Sequence, residues 1–273
     1  MKILISADME GISGVTLWDH VDPSQGEYQR FRRIMTREVN SAVEGVFLGG
    51  GTEVLVTDGH WNGTNILIEE LDNRVKINSG LGTSQASMMQ GIDSSFDGVV
   101  FIGYHARASS ENGILDHTWS SKITNVWLNG TLVGEYGLNA ALAGQFNVPV
   151  IFMSGDQTAC RQARELLGKV ETVTVKEATG RHSALCLPPV IAQGMIRETV
   201  KKAMIGLKNG DAPSAYVVPK PVQIEVEYIS SDMLDKAVRI PGSKRKGNRL
   251  LMSSPDMLSA YISFRAAAGL ASV

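Results

Sequence analysis

The amino-acid sequence predicts an α/β fold, with three layers in the order α/β/α around a mostly parallel sheet and a smaller C-terminal α+β portion. Over the first 205 residues, short aliphatic runs alternate with longer segments whose apolar side chains recur at helical spacing. This strand–helix–strand alternation favours parallel pairing through right-handed crossovers. Beyond that point, chain breakers such as Pro213 and Pro219 interrupt the pattern. We therefore predict an α/β core over residues 1–205 and a smaller α+β portion over residues 206–273 that packs on the core.

The chain begins with a strand, a helix and a second strand. Residues 2–7 are short and mostly aliphatic, which predicts a buried strand. Residues 27–48 carry apolar side chains every three or four positions, which predicts an amphipathic helix, and the glycines at 49–51 end it. Residues 53–57 predict the second strand. Two weaker elements are expected to follow, a short helix and a strand: residues 64–71 and 75–78.

The middle of the chain contains a third buried strand and a β-hairpin. Residues 98–103 are apolar between two glycines, which predicts the strand. In residues 126–133, two apolar runs flank Asn129 and Gly130, a pair that supplies the positive φ angles of a tight type I′ turn. The patterns in the rest of the chain predict helices and strands in this order: helix 136–145, strand 148–153, helix 157–167, strand 170–176, helix 189–207, strand 222–228, strand 249–253 and helix 256–268.

Composition and charge exclude several classes of function. The chain has 273 residues, 43% of them hydrophobic and 20% charged, which is a globular composition. The net charge of −2 predicts no binding to nucleic acid or to an anionic membrane, and no apolar run reaches the ~20 residues of a membrane span. The first apolar run ends at Asp8, too early for a signal peptide, and Cys160 and Cys186 are too few for a disulfide framework. We expect a cytoplasmic protein with reduced thiols.

Side chains that bind metals follow the predicted strands and the hairpin. Asp8 and Glu10 come after the first strand, His60 after the second, His105 after the third and Glu135 after the hairpin. Because ligands of parallel sheets lie beyond the carboxyl ends of the strands, we expect these side chains to share one edge.

This mixture of carboxylates and imidazoles predicts a metal site. Asp8 and Glu10 point to the same side of an extended segment, where their charges repel unless a cation lies between them. Carboxylate and imidazole ligands suit zinc, and manganese or iron less well. Five ligands exceed the three of an open catalytic zinc, so we expect two ions bridged by a shared carboxylate. Asp8 leaves the strand first and is the candidate for the bridge.

Each of these residues also has a simpler interpretation. An Asp-x-Glu after a strand is usually a solvated turn, a lone histidine is usually structural, and Glu135 suits the first turn of a helix. His117 is either a surface histidine or a third imidazole that enters the site as a general base or nucleophile, neutral because nearby cations lower its pKa. The sequence has no Walker A loop, no Gly-x-Gly-x-x-Gly after the first strand and no Gly-x-Ser-x-Gly elbow. ATP binding, NAD binding and serine-hydrolase chemistry are therefore disfavoured.

Five segments resemble the zinc-dependent bacterial D-aminopeptidases of the DppA family. The opening motif is residues 6–14 (Ser-Ala-Asp-Met-Glu-Gly-Ile-Ser-Gly), the second is residues 103–108 (Gly-Tyr-His-Ala-Arg-Ala) and the third is residues 134–140 (Gly-Glu-Tyr-Gly-Leu-Asn-Ala). Residues 34–36 and 155–156 follow the family order. The likeness extends over most of the first 190 residues.

The resemblance implies a metallo-aminopeptidase with two Zn²⁺ per subunit. The ligands carried over onto this sequence are Asp8, Glu10, His60, His105 and Glu135. Asp8 would bridge the two ions, and His117 would be the catalytic nucleophile or base. Two positions depart from the family pattern, Gly59 and Asp116, each where serine is expected. The Asp116 carboxylate is expected to raise the basicity of His117 or to hold its tautomer.

The predicted function is hydrolysis of the N-terminal residue of short peptides, in particular peptides that begin with D-Ala. The resemblance also implies a homo-oligomer, a ring-shaped decamer whose interior encloses the active sites. Four apolar residues of the C-terminal third are candidates for its interface: Val217, Val218, Ile229 and Met233. Two alternatives stay open, a metal-dependent amidase that acts on other small amides and a non-catalytic peptide-binding protein of a transport system.

Overall fold

The computed structural model describes residues 1–80 and 84–271, within which the chain forms twelve strands and six α-helices. The strands are β1 (Lys2–Ala7), β2 (Glu53–Asp58), β3 (Lys76–Asn78), β4 (Gly98–Tyr104), β5 (Ile123–Leu128), β6 (Thr131–Val133), β7 (Val150–Asp156), β8 (Glu171–Gly180), β9 (Ser183–Cys186), β10 (Val222–Tyr228), β11 (Lys244–Lys246) and β12 (Arg249–Ser254). The helices are α1 (Tyr28–Leu48), α2 (Glu135–Gln145), α3 (Gln157–Leu167), α4 (Pro189–Asn209), α5 (Ser231–Ala237) and α6 (Met257–Leu270).

Seven strands form the central sheet, in the order β3-β2-β1-β4-β7-β8-β9. All neighbouring strands are parallel except β9, which is antiparallel to β8 at the edge. From β1 the chain builds β2 and β3 on one side and then returns to place β4 on the other. The strand order therefore reverses between β1 and β4, and a crevice opens there beyond their carboxyl ends.

Helices cover both faces of this sheet, which confirms the predicted fold class. Because side chains of a strand alternate between faces, Ile3 and Ile5 of β1 pack in one apolar core with α1 and α4. Leu4 packs in the other core, which α2, α3 and α6 complete. Among residues 1–80 and 84–271, no helix has the length and apolar character needed to cross a membrane.

A second, antiparallel sheet packs beyond α2 and α6, in the order β11-β12-β10-β5-β6. Its β5–β6 hairpin turns at Asn129 and Gly130, whose φ angles of 45° and 82° confirm the predicted turn. The hairpin precedes residue 205, and β10, β11 and β12 follow it. The boundary between residues 205 and 206 stays a prediction, and strands from both sides of it share this sheet.

The predicted helix over residues 64–71 is wrong. That segment forms turns because the side chain of Asp58, at the end of β2, binds its backbone. One oxygen, Oδ2, accepts the N–H groups of Asn65 at 2.6 Å and Ile66 at 2.7 Å. The sequence patterns also missed three short elements, β9, α5 and β11, whose runs are too short or too polar to show a periodicity.

Two glycines allow the loop after β1 to approach the end of β4 closely. A Cβ atom on Gly11 would lie 2.1 Å from the Tyr104 carbonyl oxygen. Gly103 has a φ of 70°, and a Cβ there would lie 2.3 Å from the Asp8 carbonyl oxygen. These contacts leave no room for a side chain, so both glycines are required for the two segments to meet.

The four apolar residues predicted to form an interface have different environments. Val217 and Ile229 are 58% and 59% exposed. Met233 is half-buried and packs against the core. Val218 is buried in the core beside β10, so its assignment to a surface is wrong.

Candidate metal centre

Asp8 and Glu10 lie in the loop that follows β1, and each is 3% exposed. A fully buried lysine on β8 holds this loop. Lys176 Nζ donates to the carbonyl of Glu10 at 2.5 Å and to that of Val15 at 2.6 Å. It also donates to the Ile12 carbonyl at 3.0 Å. The three hydrogen bonds fix the path of the loop and the direction in which Glu10 points.

His60 reaches the same edge from the turn that Asp58 shapes. Its Nε2 lies 2.8 Å from the carbonyl oxygen of Val21. Its Nδ1 lies 3.3 Å from Asp8 Oδ1 and 3.1 Å from Glu10 Oε2. One ring nitrogen is therefore anchored on the main chain, and the other faces two carboxylates.

His105, which follows β4, repeats this arrangement with its nitrogens exchanged. Its Nδ1 lies 2.9 Å from the Ala106 carbonyl oxygen. Its Nε2 lies 3.1 Å from Glu135 Oε1 and 3.5 Å from Asp8 Oδ2. Glu135 begins α2, and its Oε1 accepts the Trp119 N–H at 2.7 Å. Asp8 thus presents one oxygen to His60 and the other to His105.

His117 enters the same site from the loop between β4 and β5. Its ring stacks on that of His105, with centroids 3.9 Å apart and planes at 10°. Its Nδ1 lies 2.8 Å from the Leu115 carbonyl oxygen, and its Nε2 lies 3.8 Å from Glu10 Oε1 and 3.7 Å from Glu135 Oε1. Burial and the neighbouring His105 lower the pKa of His117, which keeps its imidazole neutral.

The Asp116 carboxylate does not contact His117, the histidine that it was expected to support. Its Oδ1 accepts a hydrogen bond from Arg181 Nε at 2.6 Å, and its Oδ2 accepts the Ser110 N–H at 3.2 Å. The tautomer of His117 is instead held by the main-chain carbonyl of Leu115. The sequence-based assignment of that role to Asp116 is wrong, because the carboxylate turns away to an arginine from a distant part of the chain.

Backbone strain concentrates around these side chains. Four non-glycine residues in the loops around the site adopt left-handed conformations: Trp61 (φ 52°), Ser87 (φ 47°), Leu115 (φ 48°) and Trp119 (φ 68°). Such conformations cost about 1–3 kcal/mol each and persist where the surrounding structure imposes them. The fold thus holds the site in a fixed geometry.

The arrangement fits a bound metal. In each of the three histidines, His60, His105 and His117, one ring nitrogen donates its hydrogen to a main-chain carbonyl. When the ring is neutral, the other nitrogen directs its lone pair at the carboxylates. The lone pair and the carboxylates repel each other unless a cation lies between them. Glu10 Oε2 and His105 Nε2 are buried and form no hydrogen bond with the described residues. Donor atoms lie within 4.8 Å of one another in two groups: Asp8, Glu10 and His105; His105, His117 and Glu135. Carboxylates and imidazoles with main-chain anchors are ligands typical of catalytic zinc sites.

Without a cation, the pKa values of the buried carboxylates and imidazoles in the site shift away from their ordinary values. Burial raises the pKa of Asp8 to about 7, and the charge of Glu10 adds to this effect. Burial would raise the pKa of Glu10 too, but the His60 imidazole outweighs it and keeps that pKa well below the usual range. Although burial lowers the pKa of His105, Glu135 raises it to about 10. A metal must therefore displace protons from buried imidazoles, which makes binding weaker in acid.

Comparison with known proteins decides the family. The family model described as D-aminopeptidase matches residues 1–266. The chain belongs to the D-aminopeptidase family. It is 36% identical over 263 residues to a D-aminopeptidase of Bacillus subtilis (strain 168), a match that covers 96% of this chain and 94% of that protein. The solved structure of the Zn-dependent D-aminopeptidase DppA from Bacillus subtilis, a self-compartmentalizing protease, superposes with a TM-score of 0.94 at 34% identity. That superposition covers 100% of this chain and 98% of the other.

Family membership confirms the predicted enzyme class, a hydrolase of the D-aminopeptidase type. The structure brings all six predicted site residues together at the crevice between β1 and β4. Their individual roles as ligands and catalyst stay predictions.

This D-aminopeptidase family member has functional features that the sequence patterns missed. A cavity of about 750 Å³ opens over the site, and its walls include Trp18, Trp61, Trp119 and Arg265. Lys176, which holds the loop of Glu10, lies 166 positions away along the chain. The sequence of β8 gives little sign of this role, because the strand also carries Glu171, Thr172 and Glu177, and a lysine among them fits an ordinary half-exposed strand.

Proposed function

We propose that this protein is a zinc-dependent aminopeptidase that removes the N-terminal residue of short peptides, with D-Ala peptides as the first candidates. One observation carries the proposal: three imidazole nitrogens and three buried carboxylates meet at the switch point of the sheet, under a cavity that a dipeptide can enter. The zinc dependence of the Bacillus subtilis relative supports the choice of metal.

We further propose two zinc ions per subunit, with Asp8 as the bridge. Support comes from the two oxygens of Asp8, which face different partners: Oδ1 lies beside His60 and Oδ2 beside His105. Glu10 and His60 would complete one position, and His105 and Glu135 the other. Zinc bound there would supply Lewis-acid polarisation of the scissile carbonyl and activation of water.

The protein's own residues would supply orientation and proton transfer. His117 Nε2 carries the lone pair, because Nδ1–H is committed to the Leu115 carbonyl. With its pKa lowered, this nitrogen is free to accept a proton from the attacking water and to pass it to the leaving amine. The stacked ring of His105 and the edge of Trp18, 5.3 Å away, keep the imidazole in place.

Metal removal and replacement test the proposed function. Protein depleted by a chelator should not cleave D-Ala-D-Ala, and added zinc should restore release of free alanine. The same samples should contain about two zinc ions per chain by elemental analysis. L-Ala-L-Ala and D-alaninamide are the comparison substrates: turnover of the amide alone would indicate the amidase alternative. Binding of the peptides without turnover in zinc-loaded protein would contradict an enzymatic role and favour the transport alternative.

We propose that the chain forms a homo-oligomer, and in its finer form a ring-shaped decamer. The exposed apolar side chains Val217 and Ile229 support an interface, as does the self-compartmentalizing relative. Light scattering at micromolar concentration should give about ten times the chain mass. A monomeric mass would contradict oligomerisation, and a smaller closed assembly would contradict the decamer alone.

The proposed location of the protein is the cytoplasm. Cys160 and Cys186 are both free thiols, as expected in a reducing compartment. Fractionation of the source cells is the direct test of this location.

A further inference from the structure

The cavity above the candidate metal centre is lined by side chains of both charges. Its acidic side chains are Asp8, Glu10 and Glu135. The wall contains two arginines, Arg181 and Arg265. Arg181 is neutralised by Asp116, whose Oδ1 lies 2.6 Å from its Nε. The two arginines therefore differ in the charge that they present to a ligand.

Arg265 has no such carboxylate partner. Across residues 1–80 and 84–271, no Asp or Glu forms an ion pair with it. Its hydrogen-bond acceptors in those ranges are the carbonyl oxygens of Ser84 and Gln85, both at Nη1. A guanidinium has five N–H donors in a planar fork. Its Nε and Nη2 donors are thus available to a carboxylate from solution, in a half-buried position where charge-assisted bonds are strong.

Contacts with Trp119 connect Arg265 to the candidate metal centre. Tyr261 and Phe264, on the same helix α6, contact the Trp119 ring edge-on, with centroids 6.0 Å and 5.4 Å away. The Arg265 guanidinium carbon lies 5.9 Å from the centroid of that ring. The backbone N–H of Trp119 in turn donates to Glu135 Oε1 at 2.7 Å. One tryptophan residue therefore separates the guanidinium from the carboxylate cluster.

We infer that Arg265 binds the free C-terminal carboxylate of a dipeptide substrate. This inference rests on the proposed function, which assigns the N-terminal residue of the substrate to the part of the cavity beside Asp8, Glu10 and Glu135. A dipeptide zwitterion then places its amino group near these carboxylates and its own carboxylate at Arg265. Arg265 thus determines specificity for a free C-terminus.

A pair of substrates that differ only in the C-terminal group isolates this contact. We expect Arg265→Met, loaded with zinc, to lose between about tenfold and a hundredfold in kcat/KM for D-Ala-D-Ala, mainly through KM. D-Ala-D-Ala amide, which has no carboxylate, should be cleaved by the variant and the wild type within about twofold of each other. Arg265→Lys should recover part of the loss. Arg245→Met, at an exposed arginine on β11 paired with Asp235, is the control and should change neither substrate.

Three outcomes would overturn the inference. Equal losses on both substrates would assign Arg265 a structural role through the carbonyls of Ser84 and Gln85, and thermal unfolding would register that change. No loss on either substrate would exclude the contact.

If the wild type cleaves neither peptide, the proposed function fails separately, and calorimetric binding of the same two peptides decides the inference. Selective weakening of the free peptide in Arg265→Met would then support the inference, and equal or absent binding would refute it.

Discussion

Replacing His117 with alanine is expected to lower kcat by about 10²–10⁴-fold, the usual size of a general acid–base contribution. The zinc content should be unchanged, because five other side chains are the proposed ligands. KM should change little, since His117 acts on the transferred proton. Its Nε2 lies 3.7–3.8 Å from the nearest carboxylate oxygens, close enough to the reacting groups to serve this role. Steady-state kinetics and elemental analysis on the same preparation provide the measurement.

His105→Ala is the matched control for that substitution. The two rings stack on each other at 3.9 Å, so both variants lose a similar packing contact. Only His105 lies between Asp8 and Glu135, at 3.5 Å and 3.1 Å, and its loss should remove metal and activity together. Near-full activity in His117→Ala would contradict a catalytic role. Loss of zinc from His117→Ala would instead make this histidine a ligand, as the short distances among His105, His117 and Glu135 also allow.

Asp8→Ala is expected to release both metal ions and abolish peptide hydrolysis. The reason is geometric, because one carboxylate faces His60 with Oδ1 and His105 with Oδ2. Glu10→Ala, two positions along the same loop, should lose mainly one ion, because its Oε2 faces His60. Zinc analysis after dialysis against a weak chelator separates the two variants. Two retained zinc ions per chain in Asp8→Ala would show that Asp8 is not the bridge.

The stability of the metal-free proteins gives an independent measurement for the same variant. Without metal, Asp8 is a buried carboxyl group whose pKa is raised by burial and by Glu10, so its ionised form is disfavoured. Removing it should change the melting temperature of the metal-free protein little, because relief of the buried carboxyl group offsets the lost hydrogen bond from the Met9 N–H. The zinc-dependent rise in melting temperature should disappear. A large loss of stability in metal-free Asp8→Ala would indicate a structural role for the carboxylate.

Local patterns were sufficient to predict much of this molecule. The aliphatic run of β1, the helical spacing of α1 and the Asn129–Gly130 turn each predicted the element that the structure contains. The candidate site came from one rule, that carboxyl ends of parallel strands share an edge. Asp8, His60 and His105 each lie just beyond the end of such a strand, so their proximity required no knowledge of distant contacts.

The sequence by itself thus determined the fold class and the candidate ligands at the crevice, because both depend on periodicity and on the residue types just beyond the end of each strand. Only the tertiary structure decided how those side chains are oriented. Lys176 donates a hydrogen bond to the loop that carries Glu10. Arg181 binds Asp116, which therefore does not contact His117. Arg265, on the last helix, lines the cavity. The partners in the first two contacts are 166 and 65 positions apart in the chain. Such contacts leave no local pattern, since they arise only when packing brings distant elements together.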